Sequence, residues 1–247
     1  MINLWTPDIL KINTALKGQM RLVGGCVRDF LINKMPDDID IATPLLPKVV
    51  LSCLQKYNIH SKLIAPRHGV ILAVIGKNTY EITTLRQETY TLDNKEEITF
   101  IQDYEKDSLR RDFTINALYM DKDNHIYDYH NGSNDLKEKH VCFIGEPLER
   151  LRQDPLRILR YLRFWGNFGK AKPDERVLSC FLSVRQGLKN ISHKRKRKEM
   201  SKILTSKRSS EVLNLIDAYH LWPFIASDSK QRITSLTPKE ILTYIGE

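Results

Sequence analysis

Hydrophobic and polar positions alternate along the first part of the chain as they do in short, half-buried strands. Five such segments, rich in Ile, Val and Thr, lie at 21–25, 38–43, 61–65, 69–75 and 79–85. Three others, at 7–16, 26–33 and 46–57, carry apolar residues at helical spacing. This mixture of short strands and helices predicts helices packed on a small β-sheet.

The pattern changes after Arg86. Residues 87–107 are polar and irregular, which predicts a hairpin or a mobile loop, and residues 108–120 predict a further helix. Turn residues such as Asn131-Gly132 interrupt the segment 125–136. From about Gly145 the strand pattern fades, and successive helices are predicted over 146–168, 173–188, 191–205 and 209–222. The predicted fold class is α+β, with a mixed-sheet head over residues 1–142 and an all-helical neck and short body over 143–247.

The composition and net charge of the chain suggest a polyanionic partner. The 247 residues are 41% hydrophobic and 28% charged, with a formal net charge of +9, which points first to nucleic acid. No apolar run approaches the ~20 residues that span a bilayer, and the first residues do not resemble a secretory signal. Cys26, Cys53, Cys142 and Cys180 have neither disulfide-framework nor zinc-site spacing. We therefore expect a cytoplasmic protein with reduced thiols and no membrane partner.

Three acids stand close together at Asp37, Asp38 and Asp40. In a strand, residues i and i+2 point to one face, so Asp38 and Asp40 are expected side by side, with Ile39 facing the helices. Two carboxylates ~4 Å apart repel by about 4 kcal/mol at an effective dielectric near 20, and a divalent cation between them reverses the sign. Mg²⁺ is typically bound by a small number of hard oxygen ligands from the protein. The alternative interpretation is that Asp38 is only a turn residue after Pro36.

A glycine pair precedes these acids. Gly24 and Gly25 end a predicted strand and begin a predicted helix, where backbone N–H groups can approach a phosphate closely. Arg28, one turn into the helix, would add a charge-assisted contact. A glycine turn followed by a carboxylate pair predicts a site for a nucleotide and a metal ion.

Four segments together resemble one family. They are 22–43, 80–86, 110–121 and 152–164, and they resemble the class II tRNA nucleotidyltransferases and bacterial poly(A) polymerases over about residues 20–205. The resemblance implies a nucleotidyltransferase-type head in which Asp38 and Asp40 bind two Mg²⁺ ions. These ions would activate an RNA 3′-hydroxyl and hold a triphosphate, with release of pyrophosphate.

The resemblance also implies further contacts in the head. Gly25 and Arg28 correspond to nucleotide-binding positions of the family. Arg111 and Asp112 match the segment that recognises the ribose, whose 2′-hydroxyl both donates and accepts. Glu81 is either a supporting acid, if its strand neighbours that of Asp40, or an ordinary exposed glutamate.

The segment Asp154-Pro155-Leu156-Arg157 matches the base-reading motif of the family. At i and i+3, Asp154 and Arg157 would share a helix face and offer a carboxylate acceptor beside a guanidinium donor, which fits cytosine and adenine. The alternative is that Asp154 is a helix N-cap followed by proline. Arg160 and Arg163 match further nucleotide contacts, with Arg163 turned towards phosphate or RNA.

The chain departs from the family pattern at several positions. Gln153 stands where the family often has Glu, and Lys194 stands where the family has an acidic residue. Of the Phe-Gly-Gly turn that is usual in the family, this chain keeps only Gly132. Arg195 and Glu199 are expected to form an i, i+4 ion pair. The basic run 194–198 cannot lie on one helix face, and some of it is expected to contact RNA phosphates.

The resemblance implies an enzyme that adds or repairs the 3′-terminal CCA of tRNA from CTP and ATP, and the polar segment 87–107 fits the element that helps such enzymes switch from C to A. A poly(A) polymerase and a CC-only or A-only adding enzyme are alternatives with the same chemistry. An inactive RNA-binding remnant is an alternative of another class, suggested by Gln153 and the short C-terminal region. Members of the family are usually longer, so a minimal enzyme, a truncated reading frame and a need for a partner are all consistent with this length.

Overall fold

The computed structural model describes residues 2–91, 96–170, 172–226 and 237–246. The chain divides into two compact units, Met1–Asp135 and Leu136–Glu247, which are considered separately below. The functional boundary at residue 142 remains a prediction. Among the described residues, no helix combines the length and the apolar character needed to cross a membrane.

The first unit is built on a mixed sheet. Its described strands are β1 Arg21–Val23, β2 Asp40–Thr43, β3 His60–Ala65, β4 Val70–Ile75, β5 Asn78–Thr84, β6 Arg86–Tyr90, β7 Glu96–Phe100, β8 Leu118–Met120 and β9 Ile126–Asp128. Seven of them form one sheet in the order β3-β4-β5-β2-β1-β8-β9, and β6 pairs with β7 in a second sheet. Only the β2–β5 pair is parallel among these ladders. The predicted mixed sheet is confirmed, and 87–107 contains the hairpin strands rather than only a loop.

Helices flank this sheet. They are α1 Pro7–Ala15, α2 Gly25–Leu31, α3 Pro47–Lys56, α4 Tyr104–Ser108 and α5 Gly132–Lys137, with 3₁₀ turns at Pro66–His68 and Thr114–Asn116. The start of α1 follows from its sequence, because the Thr6 side chain accepts a hydrogen bond from the Ile9 N–H and Pro7 occupies the first helical position.

One core cluster holds the sheet and helices of the first unit together. Ile41 of β2 and Ile82 of β5 are fully buried in it, as are Ile12 of α1 and Leu54 of α3. Burying a side chain of this size contributes about 1.5–3 kcal/mol. The central strands β2 and β5 are thus fixed by their buried residues, and this fixes the position of the acids at the start of β2.

The second unit is helical, as predicted. Its described helices are α6 Pro147–Gln153, α7 Arg157–Phe168, α8 Glu175–Val184, α9 His193–Leu204, α10 Ser209–Ala218, α11 Trp222–Ile225 and α12 Pro238–Gly246, with a 3₁₀ turn at Arg185–Asn190. Helix α7 is the central one, since Ile158, Leu162 and Trp165 on it are all buried.

The helix predicted over 108–120 is wrong. Helix α4 ends at Ser108, a 3₁₀ turn follows, and Leu118–Met120 forms a strand of the main sheet. Asp112 explains the interruption, because its carboxylate accepts hydrogen bonds from the Phe113 N–H at 2.9 Å and from Asn116 Nδ2 at 3.1 Å. Such local side-chain bonds compete with the helical ladder.

Candidate active site

Three acids lie where β2 begins. Asp40 is the first residue of β2 and is in register with Glu81 of the parallel strand β5, and both are exposed. The strand adjacency on which a supporting role for Glu81 depended is therefore present. Asp38 precedes the strand, in a stretch without regular structure, so the strand starts two residues later than predicted. Ile39, between the two aspartates, packs against the core as expected.

The charges of these acids act on one another. Desolvation raises the pKa of Asp40 above its usual range and the charge of Glu81 raises it further, while Arg111 lowers it and Asp38 adds a smaller increase. A bound cation stabilises the ionised form of a carboxyl group whose pKa is raised in this way. The donors are all carboxylate oxygens, which suit a hard divalent ion. The residues present therefore fit a divalent metal.

The glycine turn lies beside Arg111. Gly24 has a φ of 77° and is the N-cap residue of α2. A Cβ at Gly24 would lie 3.4 Å from Nη1 of Arg111 and 3.5 Å from the backbone oxygen of Asn116, in a backbone conformation that side chains rarely adopt. Glycine thus keeps the approach to Arg111 open, and the first N–H groups of α2 have no partner within the helix.

Arg28 lies next to the same turn but is buried. Its Nη2 is 3.7 Å from the position that a Cβ of Gly25 would take. Its Nε donates to Oδ1 of Asp29 at 2.9 Å and its Nη1 donates to Oδ1 of Asn116 at 2.6 Å. Since Asn116 also donates to Asp112, these side chains connect α2 to the segment that follows α4. Arg28 is therefore held in a fixed orientation.

Arg111 is held by a buried carboxylate that sequence reasoning missed. Asp107 is fully buried and accepts from the Arg86 N–H at 2.9 Å, from Nε of Arg110 at 2.9 Å and from the Tyr119 hydroxyl at 2.7 Å. The two nitrogen donors bind Oδ1, and the Tyr119 hydroxyl binds Oδ2. Oδ2 also lies 3.5 Å from Nη2 of Arg111, whose Nε donates to the Tyr119 hydroxyl at 3.2 Å.

This cluster favours the ionised form of Asp107. Burial opposes ionisation of Asp107, but Arg110 and Arg111, with the Arg86 N–H and the Tyr119 hydroxyl, hold its pKa below the usual range. Asp107 precedes its two arginines by three and four residues, and this spacing was the available signal for the cluster. Nothing in the sequence pattern indicated Tyr119.

The predicted helix face shared by Asp154 and Arg157 is wrong. Asp154 ends α6 with extended dihedral angles, φ −143° and ψ 100°, and Arg157 is the first residue of α7. Pro155, which cannot donate a helical hydrogen bond, separates the two helices. The Asp154 side chain accepts from the Leu156 N–H at 3.2 Å, a contact of the kind expected from the N-cap interpretation, and from Nη2 of Arg195 at 2.8 Å.

Gln153 organises the arginines at this break. Its side-chain oxygen accepts from Nη1 of Arg150 at 2.7 Å and from Nη1 of Arg157 at 3.1 Å. The buried Arg157 also donates to the backbone oxygen of Arg150 at 2.8 Å. The neutral amide of Gln153 thus lies between two guanidinium groups. The family that the sequence resembles often has a glutamate at this position.

Glu199 receives the two later arginines of α7. Its carboxylate lies 2.7 Å from Nε of Arg163 and 3.7 Å from Nη1 of Arg160. Because Arg195 is instead paired with Asp154, the predicted Arg195–Glu199 pair is wrong. Lys196 is buried and donates to the backbone oxygen of Phe224 at 3.1 Å, while the other residues of 194–198 are exposed. The basic run is therefore spread around α9, as expected.

A further group of possible metal ligands lies beside the β6–β7 ribbon. Among the described residues, the ligand atoms of His68, Glu88 and Glu96 all lie within 4.8 Å of one another. Arg86 and Arg110 already pair with Glu88, and Arg67 pairs with Glu96. These cations compete with a metal ion for the same carboxylates. Asp38, Asp40 and Glu81 do not form a group of three ligands this close together in the described part of the chain.

Comparison with known proteins identifies two matching family models. The model described as the poly A polymerase head domain matches residues 20–142, and the model described as the probable RNA and SrmB-binding site of polymerase A matches residues 172–231.

Individual relatives agree with these models. The chain is 38% identical over 213 residues to human CCA tRNA nucleotidyltransferase 1, mitochondrial, covering 84% of this chain and 48% of that protein. It is 34% identical over 210 residues to the CCA-adding enzyme of Staphylococcus epidermidis, covering 83% and 51%. The crystal structure of the Bacillus stearothermophilus CCA-adding enzyme in complex with CTP superposes with a TM-score of 0.81 at 27% identity, covering 95% of this chain and 58% of that one. The chain thus spans about half the length of the relatives that it matches.

Proposed function

Because the chain belongs to the tRNA nucleotidyltransferase and poly(A) polymerase family, we propose that it adds or repairs the 3′-terminal CCA of tRNA. The substrates are CTP, ATP and the tRNA 3′ end, and the by-product is pyrophosphate. The observation that carries this proposal is the register of Asp40 with Glu81, with the charges of Arg111 and Asp38 acting on Asp40, within the segment matched by the polymerase head model. The names of the relatives favour CCA addition over poly(A) synthesis.

The metal of this site is Mg²⁺, and divalent metals are typical of the family. Asp38 and Asp40 are the ligands, and their hard carboxylate oxygens support this choice. A divalent ion held by these two carboxylates would supply Lewis-acid chemistry to the triphosphate and to the attacking 3′-hydroxyl. Glu81 stands beside Asp40 in the ladder and adds negative charge that strengthens cation binding.

The remaining residues of the head hold the nucleotide. The N–H groups at Gly25, in the first turn of α2, bind the triphosphate, because helix N-termini favour anions. Arg28 adds positive charge there, oriented by Asp29 and Asn116. Arg111 lies beside Gly24, is held in place by Asp107, and provides a further cationic contact to the nucleotide.

Base selection belongs to the residues at the α6–α7 break. A carboxylate offers about four lone-pair sites and a guanidinium five N–H donors, so Asp154 and Arg157 keep capacity beyond their present bonds. The acceptor of Asp154 and the donors of Arg157 fit the amino group and ring nitrogen of cytosine or adenine. Arg160 and Arg163 supply positive charge for phosphates further along α7.

We assign catalysis to residues 1–142 and base recognition with RNA binding to residues 143–247. The matched RNA-binding model over 172–231 supports this division. The reaction is expected in the cytoplasm, whereas the zebrafish, human and mouse relatives are named as mitochondrial proteins.

The test is nucleotide addition by the purified chain. A tRNA that lacks CCA is incubated with Mg²⁺ and with CTP, ATP or both, and the product 3′ ends are sequenced. We expect two C residues with CTP alone and a complete CCA with both nucleotides. Absence of any incorporation would refute the proposal, and long A tracts with CTP ignored would identify a poly(A) polymerase. The Asp40→Asn chain serves as the inactive control.

A further inference from the structure

A group of possible metal ligands in the first unit lies apart from the residues assigned above. His68 is the last residue of the 3₁₀ turn Pro66–His68, while Glu88 belongs to β6 and Glu96 to β7. The ligand atoms of these three side chains all lie within 4.8 Å of one another. The group therefore lies where the 3₁₀ turn meets the β6–β7 ribbon.

The pairing of β6 with β7 places both glutamates on one face of the ribbon. Glu96 is directly opposite Tyr90, and Glu88 precedes Tyr90 by two residues on the same strand. Since side chains alternate between the two faces of a strand, Glu88 and Glu96 are diagonal neighbours on a common face. Glu97 points to the other face and is exposed.

The turn that carries His68 is packed tightly against this ribbon. A Cβ at Gly69, whose φ is 66°, would lie 2.7 Å from Cε1 of Phe100 on β7, so only a glycine allows this approach. On the same side, Nη1 of Arg86 donates to the backbone oxygen of His68 at 3.0 Å. These contacts hold His68 beside the two glutamates.

The competing arginines occupy one oxygen of each carboxylate. Oε1 of Glu88 accepts from Nε of Arg86 at 2.9 Å and lies 3.6 Å from Nη1 of Arg110. Arg67 lies 3.5 Å from Oε2 of Glu96. Oε2 of Glu88 and Oε1 of Glu96 accept no hydrogen bond from any residue that the structure describes. Each carboxylate therefore keeps one oxygen for a further ligand.

The imidazole of His68 is also unused. Its Nδ1 is buried and has no hydrogen-bond partner among the described residues. Leaving a buried polar atom unpaired is unfavourable, and a metal ion would relieve this cost because neutral imidazole binds metals through a ring nitrogen. This observation is independent of the two acids and favours a ligand at the same place.

The three donors together indicate the kind of ion. Imidazole nitrogen suits Zn²⁺, whereas Mg²⁺ and Ca²⁺ prefer oxygen ligands throughout. Ligands about 2.1 Å from a tetrahedral ion are about 3.4 Å apart, so small side-chain rotations would close the present group around Zn²⁺. The two carboxylate charges would balance the charge of the ion, and water would complete its coordination.

We propose that His68, Glu88 and Glu96 bind one Zn²⁺ ion, which fastens the β6–β7 ribbon to the 3₁₀ turn. The site is separate from the Mg²⁺ site proposed at the start of β2, and it does not depend on the proposed function. Its role is structural, because its ligands come from the turn and from both strands of the ribbon.

Calorimetric titration with Zn²⁺, in excess Mg²⁺, tests the ligands. His68→Ala and Glu96→Gln should each weaken Zn²⁺ binding at least about tenfold, since even the residues that support a metal ligand contribute on this scale. Glu96→Gln keeps the shape of the side chain, so the test does not depend on the folding of His68→Ala. The exposed His60→Ala and Glu97→Gln are matched controls and should bind like the parent. Equal affinities in all four variants would overturn the proposal, as would binding that is lost only in Asp40→Asn.

Hydrogen exchange tests the fastening of the ribbon. Zn²⁺ should slow exchange of the backbone N–H groups of β6 and β7 in the parent but not in His68→Ala, because the ion opposes local opening only where it holds both parts. Zn²⁺ that binds without slowing exchange in the ribbon would contradict the structural role. Neither measurement involves nucleotide addition, so failure of this inference is distinguishable from failure of the proposed function.

Discussion

The ionised form of Asp40 is disfavoured in the folded protein, and Asp40 is also a proposed metal ligand. Asp40→Asn removes a metal ligand and should lower the rate of nucleotide addition by about 10²-fold or more, the scale of losing a group that stabilises charge at a reacting centre. Because the folded-state pKa of Asp40 is raised, its ionised form costs stability at neutral pH, and this cost is relieved as the pH falls through that pKa. The variant should therefore have a higher Tm than the parent at pH 7.

Asp37 provides the matched control for Asp40. It is an exposed neighbour with no assigned role, so Asp37→Asn should change neither the rate of addition nor the Tm. Rate assays on a tRNA lacking CCA and thermal melting at pH 7 check both variants. An Asp40→Asn chain that turns over like the Asp37→Asn chain would mean that the catalytic acid has been misassigned.

Asp107 should stabilise the fold in a pH-dependent way. Asp107→Asn leaves the guanidinium groups of Arg110 and Arg111 without their carboxylate and should lower the free energy of unfolding by about 3 kcal/mol at pH 7. Because the folded pKa of Asp107 is depressed, its contribution is present above the unfolded value of about 3.9 and is lost as the pH falls through the folded pKa.

Urea unfolding at pH 7, 5 and 3 measures this effect. The difference between the parent and Asp107→Asn should be similar at pH 7 and 5 and smaller at pH 3. Asp103→Asn, which keeps an N-cap residue on α4, should stay within about 0.5 kcal/mol of the parent. A difference that does not depend on pH would show that Asp107 acts through packing rather than charge.

At the scale of elements, the turn into α5 depends on one glycine. A Cβ at Gly132 would lie 2.2 Å from the backbone oxygen of Thr114, and Asp128 accepts from the Gly132 and Ser133 N–H groups at 2.8 Å each. Gly132→Ala should therefore cost about 3 kcal/mol, since the backbone must move. Gly25→Ala, where the nearest atom would be 3.7 Å away, is the control and should leave the free energy of unfolding nearly unchanged. Equal stabilities in denaturant titrations would contradict the crowding seen at Gly132.

A negative charge at the break between α6 and α7 should stabilise the second unit. Gln153→Glu places a carboxylate between Arg150 and Arg157. The substitution should raise the free energy of unfolding by about 1 kcal/mol, because hydrogen bonds to a charged acceptor are stronger than those to an amide. Thermal melting compares this variant with Gln186→Glu, an exposed change in the same unit that should have little effect. A Gln153→Glu chain that melts at or below the parent temperature would show that the amide already satisfies both arginines.

Most elements could be predicted because their signals are local. Apolar alternation located β4 and β5, and helical spacing located α1 and α3, since both patterns reflect which face is buried. Residues 108–120 were misread because Asp112 bonds its own backbone neighbourhood, which overrides helical spacing. The acids near β2 were found from sequence, whereas the Asp107 cluster depends on Tyr119, a contact formed only when β8 joins the sheet.

At the scale of the molecule, the net charge of +9 and the matched head and RNA-binding models support the proposal of an RNA substrate. The head carries the acids proposed for metal binding, and the helical unit carries the arginines proposed for base recognition. The chain matches about half the length of these relatives.

Locating the metal tests the central claim most directly. Crystals of the protein grown with CTP and Mn²⁺, a heavier substitute for Mg²⁺, allow the ion to be found from its anomalous scattering. The account predicts a peak within coordination distance of Asp38 and Asp40 and of the triphosphate. A peak at His68, Glu88 and Glu96 instead, with the acids at the start of β2 remote from the phosphates, would contradict it.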